Sequence, residues 1–283
     1  MIRQLAKLES LNQRWLYLAA VILLIVPFVV TIPMPPGGVS VATQGLYDAI
    51  ESCPPDKVVL IDSSWDMGSR AENHAQLECV VRHMCSRGVR FVVISLGRPF
   101  GPQFAAQVIR PIAAEAGYKY GRDWVNTGYV EVRGEGVMGA VIDGLCSDFH
   151  LIRPRDVNGT PASEIPLLKR VRSIRDIHMI YCETYAPSAN WISFANGQYG
   201  TPVAFGCMSI MAPSYFTYID SGQLCGMLVG NRGAAEYEDL IGHPDTGSRL
   251  IGVASFGNCF IIAAALLGNL GAWAAMRAGR KGR

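Results

Sequence analysis

The sequence predicts an α/β protein: a Rossmann-like three-layer sandwich built on a mainly parallel sheet, flanked by N- and C-terminal transmembrane helices. Three observations carry this expectation. Short, unbroken apolar runs such as VVLIDS at 58–63 and VRFVVISL at 89–96 have the texture of strands buried on both faces. Between such runs lie stretches whose apolar residues recur at helical spacing and which close on glycine. Two uncharged segments, 15–32 and 250–276, bracket the whole.

Taken in chain order, residues 1–14 form a tail carrying Arg3, Lys7 and Arg14. The run WLYLAAVILLIVPFVVTI, 15–32, is 18 residues without charge, close to the ~20 apolar residues that carry a helix across a bilayer. It is longer than the apolar core of a signal peptide, and no small-residue cleavage site follows it closely, so it reads as a retained anchor. Residues 33–43 open with PMPPGG, a linker in which proline and glycine end the helix.

The α/β domain is expected over 44–242. A helix at 46–52 leads to the first strand, 58–63. A helix at 70–87 follows, with Ala71, Ala75, Val80 and Met84 in helical register and Gly88 behind it. The second strand is 89–96, then a helix at 103–116 ended by Gly117, a third strand at 124–130 and a helix at 136–145. A polar, proline-bearing stretch, 153–166, opens the second half. There the expected elements are a strand at 177–182, a helix at 190–199 closed by Gly200, a strand at 202–208, and helices at 214–229 and 234–241. Strands alternating with helices imply parallel pairing and right-handed crossovers. The second span, 250–276, gives way to a basic tail, 277–283.

Charge gives an orientation. Arg3, Lys7 and Arg14 precede the first span, and Arg277, Arg280, Lys281 and Arg283 follow the second, whereas the inner flanks are poor in Lys and Arg. Basic flanks stay cytoplasmic. The sequence therefore predicts a two-pass protein of the cell membrane with both termini cytoplasmic and the central domain outside. A net charge of +2, most of the excess in the tails, is no nucleic-acid footprint. Eight cysteines are scattered without a CxxC pair, and several sit in apolar runs such as MIYCET, which favours buried free thiols. Such thiols are uncommon in an oxidising compartment, and that tension stands against the charge rule.

No motif names a reaction. GxxxxGK[ST], a strand-linked GxGxxG, GxSxG and HExxH are all absent. What remains is position. Ligands of open parallel sheets bind beyond the carboxyl ends of the strands. That rule selects Asp62, Ser63, Ser64, Trp65 and Asp66 after the first strand, Ser95, Gly97 and Arg98 after the second, Tyr129 after the third, Glu183, Thr184 and Tyr185 after the fourth, and Ser209 and Pro213 after the fifth. Asp62 has a competing role as a turn cap. A hard cation held by DSSWD would need about six oxygens, and the sequence does not show where the others are, so neither a metal site nor a cofactor is assigned.

Gly222, Gly226 and Gly230 recur every four residues in the stretch 212–240, in and just beyond the expected helix at 214–229, and Ala264, Gly268 and Ala272 do so in the second span. Small-residue strips let helix backbones approach, so both sets read as contacts for self-association or for other membrane proteins. Packing of the glycine helix on its own sheet is the alternative.

The landmarks GLYDAIESCPP, VVLIDSSWD, GRDWVNTGY, APSYFTYIDSGQL and GAAEYEDL, in this order between two anchors, resemble a family of uncharacterised bacterial and archaeal membrane proteins. The resemblance implies the two-anchor architecture and supplies no catalytic residue. Three readings of function are therefore ordered as follows. The chain is a membrane-anchored, non-catalytic scaffold or accessory subunit that assembles with itself or with membrane partners. Alternatively it is a small-ligand binding or sensing module using the strand-end crevice, or, third, an enzyme with Asp62, Asp66 or Glu183 as acid or base.

Overall fold

The computed structural model describes residues 12–30 and 38–280. They fall into two units, one of residues 36–247 and one made of the two terminal apolar segments.

The α/β unit begins with α2 (Val41–Glu51), whose first turn is capped by the Ser40 hydroxyl. It continues β1 (Val58–Ser64), α3 (Arg70–Ser86), β2 (Arg90–Leu96), α4 (Gly101–Glu115) and β3 (Trp124–Val130). Then come α5 (Glu135–Ser147), the single turn α6 (Phe149–Ile152) and β4 (Ile177–Thr184). A π-helical turn, Ile192–Asn196, runs into α7 (Gly197–Tyr199), followed by β5 (Val203–Cys207), α8 (Phe216–Asp220), β6 (Gly226–Val229) and α9 (Gly230–Leu240). Six strands in the order β3-β2-β1-β4-β5-β6, every pair parallel, form the sheet. The chain winds outward from β1 to β3, then crosses back to lay β4 on the other side of β1. The expected α/β class and parallel sheet are thus present.

Period two along each strand divides the core. Val58 and Leu60 join Ile180 and Phe205 in one apolar layer under α5 and the π turn. Val59 and Ile61 join Met179 and Tyr181 in the other, under α2, α3, α4 and α9.

One expected element is corrected. Residues 214–229 are not one helix: α8 ends at Asp220, Gly222 turns the chain at φ +72°, and Gly226–Val229 is a sixth strand paired with β5. The apolar stretch GMLV is too short to display a period, and the glycine spacing imitated a helical one. The strip of Gly222, Gly226 and Gly230 therefore does not exist as a helix face.

In the other unit, α10 (Thr246–Arg280) contains a 32-residue segment, Thr246–Arg277, long and apolar enough to cross a membrane. The N-terminal expectation is met only in part. α1 (Gln13–Val29) is 17 residues, about 26 Å at 1.5 Å per residue, against a hydrocarbon core of about 30 Å. The last two residues of the expected span, 31 and 32, lie outside the described residues, as do residues 33–37 of the linker and the outer parts of both tails.

Candidate functional site

At its carboxyl end β1 lies beside β4 with Asp62 opposite Cys182, Ser63 opposite Glu183 and Ser64 opposite Thr184. β1 and β4 are also where the strand order reverses, the place at which doubly wound sheets open a crevice. The crevice is present, about 230 Å³, lined among others by Asp62, Ser64, Arg98, Glu135, Thr184 and Ser188. At about 30 Å³ per water it has room for roughly seven or eight waters, or one small molecule.

Its floor is Asp62, 3% exposed. One carboxylate oxygen accepts from the Ser64 hydroxyl and from the Leu96 amide at 3.2 Å. The other accepts from the Trp191 indole at 2.8 Å and the Cys182 thiol at 3.4 Å. Burial raises the proton affinity of Asp62, and these four donors pull against it. One wall is the first turn of α5, which Gly134 starts from φ +89°. Glu135 there accepts from Ser188 Oγ at 3.1 Å and Asn190 Nδ2 at 2.9 Å, tying that turn to the loop after β4. On the rim, Arg98 pairs with Asp66 at 3.2 Å, both about half exposed.

The expected site residues thus separate. Asp62, Arg98 and Thr184 line the crevice and Asp66 stands at its rim. Ser63, Trp65 and Glu183 do not: side-chain alternation sends Ser63 and Glu183 through to the opposite face of the sheet. There Ser63 Oγ donates to Glu183 Oε2 at 3.1 Å and receives the Trp65 indole N–H at 2.7 Å. Glu183 is fully buried, its Oε1 has no hydrogen-bond partner, and burial pushes its pKa well above the ordinary range. It is packed in a core, where burial favours its neutral, protonated form. Ser209 is also elsewhere, its N–H and Oγ both donating to Glu72 Oε2, at 2.8 and 3.0 Å.

Four contributors were not selected from the sequence: Glu135, Cys182, Ser188 and Trp191. Alternation along VVLIDSS and IHMIYCET marks Ser64 and Cys182 as facing with Asp62. Glu135, Ser188 and Trp191 carry no local signal, because the crossover from β3 to β4 brings them in. Among the described residues, no group of three or more His, Cys, Asp or Glu is placed to hold a metal ion.

The glycines expected at an interface are also relocated. Gly226 faces the backbone of α2: a Cβ on it would sit 2.2 Å from Leu46 N, and one on Gly45 would sit 2.0 Å from Cys225 O. Gly230, at φ +54°, has Ser209 Oγ 1.9 Å from where a Cβ would stand. Gly226 and Gly230 therefore serve packing within the domain, while Gly222 is an open turn. Ala264, Gly268 and Ala272 do lie along one helix, α10, with open space around Gly268.

The fold and its crevice define a class: a Rossmann-like, doubly wound α/β domain, carried in a chain whose C-terminal helix is long and apolar enough to span a membrane. Compared with known protein families, curated proteins and solved structures, the chain matches none.

Proposed function

We propose that this chain is a membrane-tethered module that binds a small polar molecule in the crevice between β1 and β4. The observation that carries this is the convergence on one open crevice of a buried, multiply bonded carboxyl group, Asp62, with Arg98, Glu135, Thr184 and Ser188 around its mouth. A few polar groups converging in a concavity at a switch point are the usual signature of a small-molecule site. In this proposal α1 and α10 both anchor the domain, both termini are cytoplasmic and the domain lies outside, as the flanking charges suggest. The likeness to the double-anchored membrane proteins is part of the same proposal.

The test uses the full chain extracted in mild detergent. Native mass spectrometry is expected to find a small molecule carried through purification, or a thermal-shift screen of polar metabolites to find one that stabilises the protein. Arg98→Ala is expected to weaken it and Arg170→Gln, an exposed arginine away from the crevice, to leave it unchanged. A protein that takes up nothing, or an Arg98→Ala variant that binds as well, sinks the reading.

The scaffold reading keeps one observation, the strip of Ala264, Gly268 and Ala272 on α10. If that strip joins protomers, Gly268→Leu shifts the detergent-extracted protein from a defined oligomer to a monomer.

A further inference from the structure

A second cavity lies away from the crevice, between α4 and the segment beyond the edge strand β3. It encloses about 590 Å³, and a recess of about 330 Å³ adjoins it, sharing Arg110, Tyr120, Trp124 and Asn158. The main cavity is within the 300–1,000 Å³ typical of ligand sites. We propose that this groove is a second ligand site, taking an elongated organic carboxylate whose anionic end pairs with Arg110 where the two recesses meet.

Three features carry the proposal. First, Gln103, Gln107 and Arg110 follow one another at i, i+4 and i+7 on α4, so all three stand on one helix face along the groove. All are exposed, and none of the three side chains makes a hydrogen bond or ion pair among the described residues. Two amides and a guanidinium in file present donors and acceptors to whatever enters.

Second, the facing wall is fixed and its charge hidden. Tyr120 donates to Asp156 Oδ2 at 2.8 Å, and Asp156 also accepts from the Thr160 amide at 2.8 Å and from Asn158 N at 2.9 Å and Nδ2 at 3.1 Å. Asp156 as a residue is 5% exposed; burial alone would raise its pKa, and those bonds outweigh it and hold the pKa below the ordinary range. Among the described residues that line the groove, Arg110 is the one charged side chain, and it favours an anion there. Tyr120, edge-on to Trp124 at 4.9 Å and 40% exposed, offers an aromatic surface for a planar body.

Third, the groove is not built for strand addition. The outward carbonyls of β3 are already capped, Trp124 O by the Gly121 amide at 2.8 Å and Asn126 O by the Val157 amide at 3.1 Å. A ligand here is held by side chains, and a guanidinium matches a carboxylate in a two-pronged contact.

The probe is hippurate, a planar aryl amide ending in a carboxylate, with hippuramide as its uncharged twin. Binding is read by saturation-transfer NMR on the full chain in phosphatidylcholine nanodiscs. Hippurate is expected to bind, with hippuramide and the Arg110→Gln variant each weaker by at least about tenfold, the worth of a charge-assisted hydrogen bond. Gln107→Ala is expected to weaken it less, and Arg170→Gln not at all. Arg110 is exposed, so its replacement does not threaten the fold, and an unchanged near-ultraviolet circular dichroism spectrum verifies that. No hippurate binding, or equal binding by Arg110→Gln, overturns the proposal. Displacement of hippurate by inorganic phosphate at equal concentration assigns the groove to phosphate-bearing ligands and overturns the carboxylate assignment.

Discussion

The indole N–H of Trp191 reaches Asp62 Oδ2 at 2.8 Å across a sequence separation of 129 residues, so the turn after β4 is locked to the end of β1 beneath the crevice. Both partners are buried. Trp191→Phe keeps most of the ring volume and removes the donor. It is expected to cost about 1–3 kcal/mol, the penalty for stripping a buried acceptor, read as a lower Tm or denaturant midpoint.

Asp62→Asn is a sharper test of the same cluster. Each carboxylate oxygen receives one group that can only donate, the Leu96 amide on one and the Trp191 indole on the other. An amide side chain, in either flip, points its NH₂ at one of them. The isosteric change is therefore expected to destabilise by at least about as much as Trp191→Phe, and the two losses to be less than additive. An Asp62→Asn protein that melts with the wild type would show that the carboxylate is not organised as described.

Glu183 makes a pH prediction of definite sign. Burial raises its folded-state pKa well above the value in the unfolded chain. Between the two, the folded state holds a proton that the unfolded state releases, so this group's contribution to stability is fully present below about pH 4 and is lost as pH rises toward the folded pKa. Glu183→Gln keeps the shape and the uncharged state at every pH. The variant is expected to gain on the wild type as pH goes from 4 to 8, with no such gain below 4. Parallel stability curves for the two proteins over that range would mean that Glu183 is not held neutral.

How much of this was legible in the sequence depended on distance along the chain. The runs VVLIDS and IHMIYC announced β1 and β4, because a strand covered on both faces has no polar side to display. Position at the strand ends picked out Asp62, Arg98 and Thr184. It also picked out Ser63, Trp65 and Glu183, because a strand-end rule ignores which face each side chain takes, and one residue of offset decides it. Trp191 and Glu135 stayed invisible, since only the crossover to β4 places them at β1. β6 was misread because three apolar residues between two glycines, Gly226 and Gly230, carry no usable period.

Gly226 and Gly222 should part company on substitution. A Cβ at Gly226 meets the Leu46 backbone, 2.2 Å from N and 2.7 Å from Cα, and neither atom belongs to a flexible side chain. Gly226→Ala must push α2 off the sheet, and a loss above about 3 kcal/mol is expected, at the upper end of overpacking costs. Gly222 has open space and only its φ of +72° to defend, so Gly222→Ala is expected to cost about 1 kcal/mol. Equal and mild effects, with loss of an oligomer in both, would restore the interface role first read from the glycine spacing.

The proposed membrane topology rests on the flanking charges and meets its strongest objection in the cysteines. All eight are free, and five of the seven outside α10 are buried. Burial keeps those five from forming disulfides whichever compartment holds the domain, and it raises the thiol pKa, for Cys85, Cys146 and Cys207 to about 12, so the reactive thiolate is scarce. Free thiols therefore do not decide against an extracytoplasmic domain. Lys169 is exposed, and a Lys169→Cys variant gives a reporter with an accessible thiol. A membrane-impermeant maleimide added to intact cells is expected to label it, at a rate that permeabilising the membrane does not raise. Labelling that appears only after the membrane is opened would invert the topology and place the crevice, with its ligand, on the cytoplasmic side.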